Sequence, residues 1–447
     1  MSIIIILIAL VLGLAALILC TVKFKIHPFF SLIIASLIFG IVSGMKFDVI
    51  LETFATGLGN TIAGIGIVIV IGTITGELLE KSGAAESMAQ TILRITGPKH
   101  AALGLAITGY FVSIPVFCDS AFVLLAPIAK RLSRDTKVSM TTMAVSLAMG
   151  LHATHMLVPP TPGPLAVSGI LNANLGMVIA LGALVSIPVT LVGYFIAEKA
   201  GKKYYYLPED IEDTMVDNQN LPSSLMSFAP IVVPIVLMVV QTISSMANNG
   251  AGNMFISIIN IIGQPVVALM IGLLLALITY FKVHPGDYQV WSFDGAFGDA
   301  MKTAGQIALI VGAGGAFGAI LQQSPLNDIL VNAFAGINIG ILAPFVIGAI
   351  FRTAIGSGTV AMVTAASMLV QVLEPLGMAS PMGRVVAMLA CAAGGFMVFH
   401  GNDDFFWIVT STSGMEPETA YKTMPIGSIA QSFTALAMVF VLYIILL

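Results

Sequence analysis

Residues 155–167 read HMLVPPTPGPLAV, four prolines and a glycine inside a segment that is apolar on both sides. In a water-soluble chain such a run marks a surface loop. Here the flanks are apolar enough to lie in a bilayer, where a broken backbone has no water to satisfy its N–H and C=O groups. The rest of the chain has the same character. Of its 447 residues 58% are hydrophobic and 9% are charged, against roughly 25% charged in an ordinary soluble domain. This composition predicts an all-α polytopic membrane protein. The net charge of −4 is spread over few ionised groups and no basic stripe is interleaved with aromatics, which excludes nucleic acid as a partner. Cys20, Cys118 and Cys391 lie in apolar surroundings without CxxC spacing, so neither a disulfide framework nor a metal site is expected, and no cofactor. Residues 3–20 lack a basic leader and an A-x-A site and read as a retained span rather than a signal peptide.

A crossing needs about 20 apolar residues. Expected crossings are 3–22, 28–45, 60–79, 138–157 and 177–197, then 228–246, 264–281, 303–321, 385–399 and 425–447. Segments 101–131 and 340–373 are each too short for two crossings and are interrupted near the middle, so they read as re-entrant hairpins. With that assignment 15 of the 18 Lys and Arg residues fall on one side of the membrane, Lys46 and Arg384 fall on the other, and Arg352 lies inside the second hairpin. By the positive-inside rule both termini are expected outside.

The chain also repeats itself. His27, Ser82, Ser120 and His155 open or occupy segments that resemble those at Gln264, Ser324, Ser357 and His400, separated by 237, 242, 237 and 245 residues. Each half carries five crossings, an odd number, so the halves must be inverted with respect to each other. The expected organisation is a first inverted repeat over 1–197, a polar cytoplasmic linker over 198–227 and a second inverted repeat over 228–447, each repeat having five crossings and one re-entrant hairpin. Inverted repeats with discontinuous helices are the architecture of secondary transporters. Irregular backbone at membrane depth is tolerated where protein or a water-filled cavity surrounds it, so the matched breaks PVFCDS, VPPTPGP, AIGSGT and HGNDDFF mark a cavity. A half-helix starting at a break presents free N–H groups and the positive end of its dipole, which suit a carboxylate.

HATHMLVPPTPGPLAVSGILNANLG, FRTAIGSGTVAMVTAAS, GAGGAFGAIL, FCDSAFVLLAPI and FHGNDDFFWIV together resemble the gluconate permease family, proton symporters for gluconate and related hydroxy acids. The resemblance covers essentially the whole chain. It implies a carrier with an elevator-like or rocking movement, often dimeric, in the inner membrane of a bacterial cell. Thr161 stands where gluconate-transporting relatives often have His, and Asp404-Phe405 where they often have Pro-Gly, so glycerate and D-serine remain alternatives to gluconate.

Candidate site residues follow from chemistry at the breaks. Asp119 is a carboxylate in an apolar hairpin tip, costly there unless it couples protons, binds substrate or caps the helix. Arg352 is the natural counter-charge for a substrate carboxylate, because its planar fork can bind both oxygens; the alternative is a structural pair with Asp403 or Asp404. His155 and His400 stand before matched breaks and can titrate near neutral pH. Ser120, Thr161, Ser357 and Thr359 are placed to donate hydrogen bonds to substrate, although Ser and Thr also cap helices. Asn402 and Asp403 match the family motif, which assigns them to substrate hydroxyls or to the proton. The expected division is substrate binding by Ser120, His155, Thr161, Arg352, Ser357, Thr359 and Asn402, and proton coupling by Asp119, His400 and Asp403. GAGGAFG (312–318) has no strand before it and reads as close helix packing, not a dinucleotide loop. Ser120 lacks a GxSxG setting, so an enzyme is not expected. Sodium coupling is the alternative to protons.

Overall fold

The computed structural model describes residues 3–208, 221–247, 254–324, 340–401 and 403–447, and these are helical with no strand among them. The first half runs α1 (Ile3–Ile18), α2 (Pro28–Val42), α3 (Phe47–Lys81), α4 (Ala84–Thr96), α5 (Ala101–Val112), α6 (Cys118–Thr136), α7 (Met140–Leu157), α8 (Pro162–Ile170) and α9 (Leu175–Lys203). The second runs α10 (Ser224–Ala247), α11 (Met254–Ile262), α12 (Pro265–Val283), α13 (Ala296–Gln323), α14 (Leu342–Ile355), α15 (Gly358–Val372), α16 (Pro381–Gly395), α17 (Asp404–Ser413) and α18 (Pro417–Leu446). Part of the expected linker, 209–220, lies outside the described residues.

Element lengths follow the bilayer. Among the described residues, seven helices are long and apolar enough to cross. α3, at 35 residues, extends about 52 Å at 1.5 Å per residue, far more than the ~30 Å hydrocarbon core. The hairpin arm α5, at 12 residues, reaches only about 18 Å. The expected crossings at 138–157 and 385–399 prove to be the first parts of discontinuous helices, completed after the breaks by α8 and α17. Proline opens α2, α8, α12, α16 and α18 at the position where a helix needs no N–H. The amphipathic helix α4 falls between the expected crossing 60–79 and the expected hairpin 101–131, where the sequence reading placed no element.

Packing repeats with the sequence. α2 lies against α13 as α12 lies against α3, and α5 packs on α7 as α14 packs on α16. α3 and α13 cross at the centre, where Gly315 abuts Thr61 while Gly314 abuts Val363 of α15, so GAGGAFG is the small-residue packing surface expected of it. The ends of helices that the sequence placed on one side meet there. Lys81 Nζ pairs with Asp299 Oδ2 at 2.8 Å, Thr141 Oγ1 donates to Tyr204 O at 2.6 Å and Tyr206 OH donates to Ser413 O at 3.2 Å. At the opposite end Arg384 Nη1 donates to Leu171 O at 2.7 Å.

The hairpin tip is held by close backbone approach. A Cβ on Gly76 would lie 2.1 Å from Pro115 O, and one on Gly72 would lie 2.7 Å from Pro160 Cβ, so α3 accepts both the first tip and the proline break on a strip without side chains.

Candidate functional site

The two halves exchange partners at mid-depth: α6 packs against α17 and α8 against α15. The backbone groups freed by the breaks are satisfied by neighbouring hydroxyls. Ser428 Oγ accepts from Phe399 N at 2.9 Å, Ser432 Oγ donates to Ala393 O at 2.7 Å and Thr161 Oγ1 donates to Val158 O at 2.6 Å. Val398, between α16 and α17, has φ of 46°, a conformation that is costly for a β-branched residue and accumulates where geometry serves a function.

Three of the four breaks, PVFCDS, AIGSGT and HGNDDFF, line a cavity of about 500 Å³, and VPPTPGP does not. Three helices start on its wall: α6 with Cys118 and Asp119, α15 with Ser357, Gly358 and Thr359, and α17 with Asp403, Asp404 and Phe405. α7 contributes His152, His155 and Met156, and α14 contributes Arg352 and Ile355. The mouth is formed by the segment between α1 and α2, where Thr21, Lys25 and His27 line the opening and Lys25 is exposed. No side chain caps the N-termini of α6 and α15, which leaves first-turn N–H groups and two positive dipole ends for an anion. α17 is capped by Asp403, whose Oδ1 accepts from Phe405 N at 2.9 Å.

Arg352 is 1% exposed. Its Nη2 donates to Asp403 Oδ2, while Nε and Nη1 have no hydrogen-bond partner among the described residues, and its Cζ lies 5.8 Å from the centre of the Phe399 ring. The structural pair with Asp403 that the sequence offered as an alternative is thus present, and it occupies one guanidinium nitrogen of three. Asp119 has only the Cys118 thiol as a partner, at 3.8 Å, and no cation is paired with it among the described residues. His155 Nδ1 is also unpartnered among the described residues.

Of the candidates named from sequence, the cavity wall gathers Asp119, His155, Arg352, Ser357, Thr359 and Asp403, with Asp404 beside them. Ser120, the residue after Asp119 on α6, is not part of the wall. Thr161 is 4% exposed and faces a separate narrow void with Pro115, Phe117 and Pro160. His400 lies beyond the end of α16, away from the wall, and so is not on a helix as His155 is. Asn402 lies outside the described residues. Sequence reasoning missed His152, one turn before His155, and the mouth residues Thr21, Lys25 and His27. The HATH pattern is the one signal that could have pointed to His152, since residues three apart share a helix face.

The family profile described as GntP family permease matches residues 3–445. A gluconate permease of Pseudomonas aeruginosa is 30% identical over 95% of this chain and 94% of its own length. The D-serine transporter DsdX of Escherichia coli is 31% identical over 98% of each chain. Among solved structures, the YdaH transporter of Alcanivorax borkumensis superposes with a TM-score of 0.62 at 15% identity, covering 89% of this chain and 90% of that one. At that identity the likeness concerns the fold.

Proposed function

Because the chain belongs to the GntP family of permeases, we propose that it is a proton-coupled carrier for uptake of a small hydroxy monocarboxylate, gluconate or a related sugar acid, across the inner membrane of a bacterial cell. The observation that carries this reading is the Arg352 guanidinium, buried on the cavity wall with two N–H-bearing nitrogens unpaired. Nη2 has a second N–H, so one of these nitrogens together with Nη2 forms the planar fork that a carboxylate matches. The uncapped starts of α6 and α15 add backbone N–H donors aimed at the same volume.

Coupling follows from charge. Moving an anion inward against a negative-inside potential is opposed by about 2.3 kcal/mol per charge per 100 mV, so accumulation needs at least one cotransported cation. Asp119 is suited to carry a proton because it reaches the cavity and has no cationic partner among the described residues. With the lysine-rich end taken as cytoplasmic, Lys25 and His27 at the mouth make this an inward-open form. Asp119 and Asp404 on the wall also support a second reading, an amino acid such as D-serine, whose ammonium group would sit between carboxylates while Arg352 holds its carboxylate.

Counterflow in proteoliposomes against gluconate, glycerate, lactate and D-serine tests the substrate, and accumulation driven by a proton or a sodium gradient tests the ion. Exchange of gluconate or glycerate together with proton-driven accumulation is expected. D-serine exchange alone would select the second reading, and accumulation on a sodium gradient with protons equilibrated would refute proton coupling.

A further inference from the structure

His152 is 2% exposed and lines the cavity, yet among the described residues neither Nδ1 nor Nε2 has a hydrogen-bond partner at ordinary geometry. Its ring stacks on Phe399 at 5.1 Å and 24° and meets the Phe396 ring edge-on at 5.0 Å and 80°. These two contacts fix the plane of the imidazole. A buried polar atom without a partner is costly, so a group that is both rigidly packed and unsatisfied points to something that arrives.

Its polar neighbour is Gln431. Gln431 Nε2 donates to Met149 O at 2.8 Å and Val189 O at 3.3 Å, which leaves Oε1 unpaired. That oxygen can take the protonated ring nitrogen and set the tautomer, leaving the second nitrogen as an acceptor for a group in the cavity. Phe399 is shared: the Arg352 guanidinium carbon lies 5.8 Å from the same ring centre on which His152 stacks. Both side chains line the same cavity, so a carboxylate held by Arg352 has its neighbouring carbon in the volume that the imidazole borders.

We propose that His152 reads the hydroxyl on the carbon next to the substrate carboxylate, and so selects 2-hydroxy acids over their 2-deoxy analogues. The proposal rests on the hydroxy-acid reading above and narrows it. A deoxy acid would leave the imidazole nitrogen unpaired in a site closed by aromatic rings, and mismatches of this kind discriminate far better than shape does.

The test compares gluconate with 2-deoxygluconate, and glycerate with 3-hydroxypropanoate, by counterflow and equilibrium binding on the wild-type protein and on His152→Phe, His152→Leu and His152→Gln. The wild type should prefer the hydroxylated member of each transported pair by roughly tenfold or more. The two apolar variants should bring that ratio close to one by losing the hydroxy acid while keeping the deoxy acid, and His152→Gln should restore part of it. Equal losses on both members would overturn the proposal and make His152 a packing residue. A wild type that takes both members equally would overturn it without any variant, so variants that fail to fold do not protect it. A wild type that moves neither member of either pair would refute the hydroxy-acid reading and this proposal with it, a result distinct from transport without discrimination.

Discussion

Replacing Arg352 by lysine keeps a positive charge at membrane depth but removes the fork. In the native protein Nη2 is committed to Asp403, and Nε and Nη1 are free on the cavity wall. A lysine ammonium is a point donor at the end of a flexible stem and cannot hold Asp403 and both oxygens of a carboxylate in one plane. Asp403 keeps a cationic neighbour, so the fold is retained. Arg352→Ala would instead strand a mostly buried carboxylate, with 13% of its side chain exposed, and breaking such a pair costs about 3–5 kcal/mol. Losing one charge-assisted contact to the substrate is worth about 1.5–3 kcal/mol, equivalent to a roughly tenfold to hundredfold rise in Kd. The assay is equilibrium binding of the acid found by counterflow to purified Arg352→Lys protein whose melting temperature and elution profile match the wild type. A Kd within twofold of wild type would refute the reasoning and leave Arg352 the single task of holding Asp403.

Further expectations concern coupling, packing and orientation. Asp119→Asn should abolish proton-driven accumulation and leave exchange at equal concentrations largely intact, because exchange needs no deprotonation; accumulation that survives there but is lost in Asp403→Asn would move the proton to Asp403. Gly76→Ala places a methyl group 2.1 Å from Pro115 O, where neither backbone can yield, so it should destabilise by about 1–3 kcal/mol or more, read as a lower melting temperature and slower counterflow; a wild-type melt would disprove the close approach. With the three native cysteines replaced by Ala, Lys25→Cys should react with an impermeant thiol reagent in inside-out vesicles and not in intact cells, and substrate should slow the reaction. Labelling from outside would reverse the orientation.

Much of the architecture was legible because the bilayer penalises exceptions. A charge or a broken backbone in hydrocarbon is expensive, so Arg352, Asp119 and the proline break stand out against apolar flanks. The duplication was visible as ordered matches, and the lysine distribution grouped helix ends that do meet, as at Lys81 and Asp299. The sequence by itself determined the membrane class, the hairpins, the discontinuous helices and the family.

Only the tertiary structure decided which side chains share a volume. Consecutive helical residues point about 100° apart, so Asp119 enters the cavity while Ser120 does not, and the proline break before α8 puts Thr161 in a different void. α7 gives no periodic clue, because every residue of Met140–Leu157 except His155 is buried. With no exposed face to set a pattern, only its spacing from His155 hinted at His152, and its unpartnered ring was seen once Phe396, Phe399 and Gln431 were placed around it. The Arg352–Asp403 pair joins α14 to the start of α17 across 51 residues, and the wall joins α6 of one half to α17 of the other. Local patterns fix where a chain must break, whereas the direction a side chain takes at the break is set by neighbours hundreds of residues away.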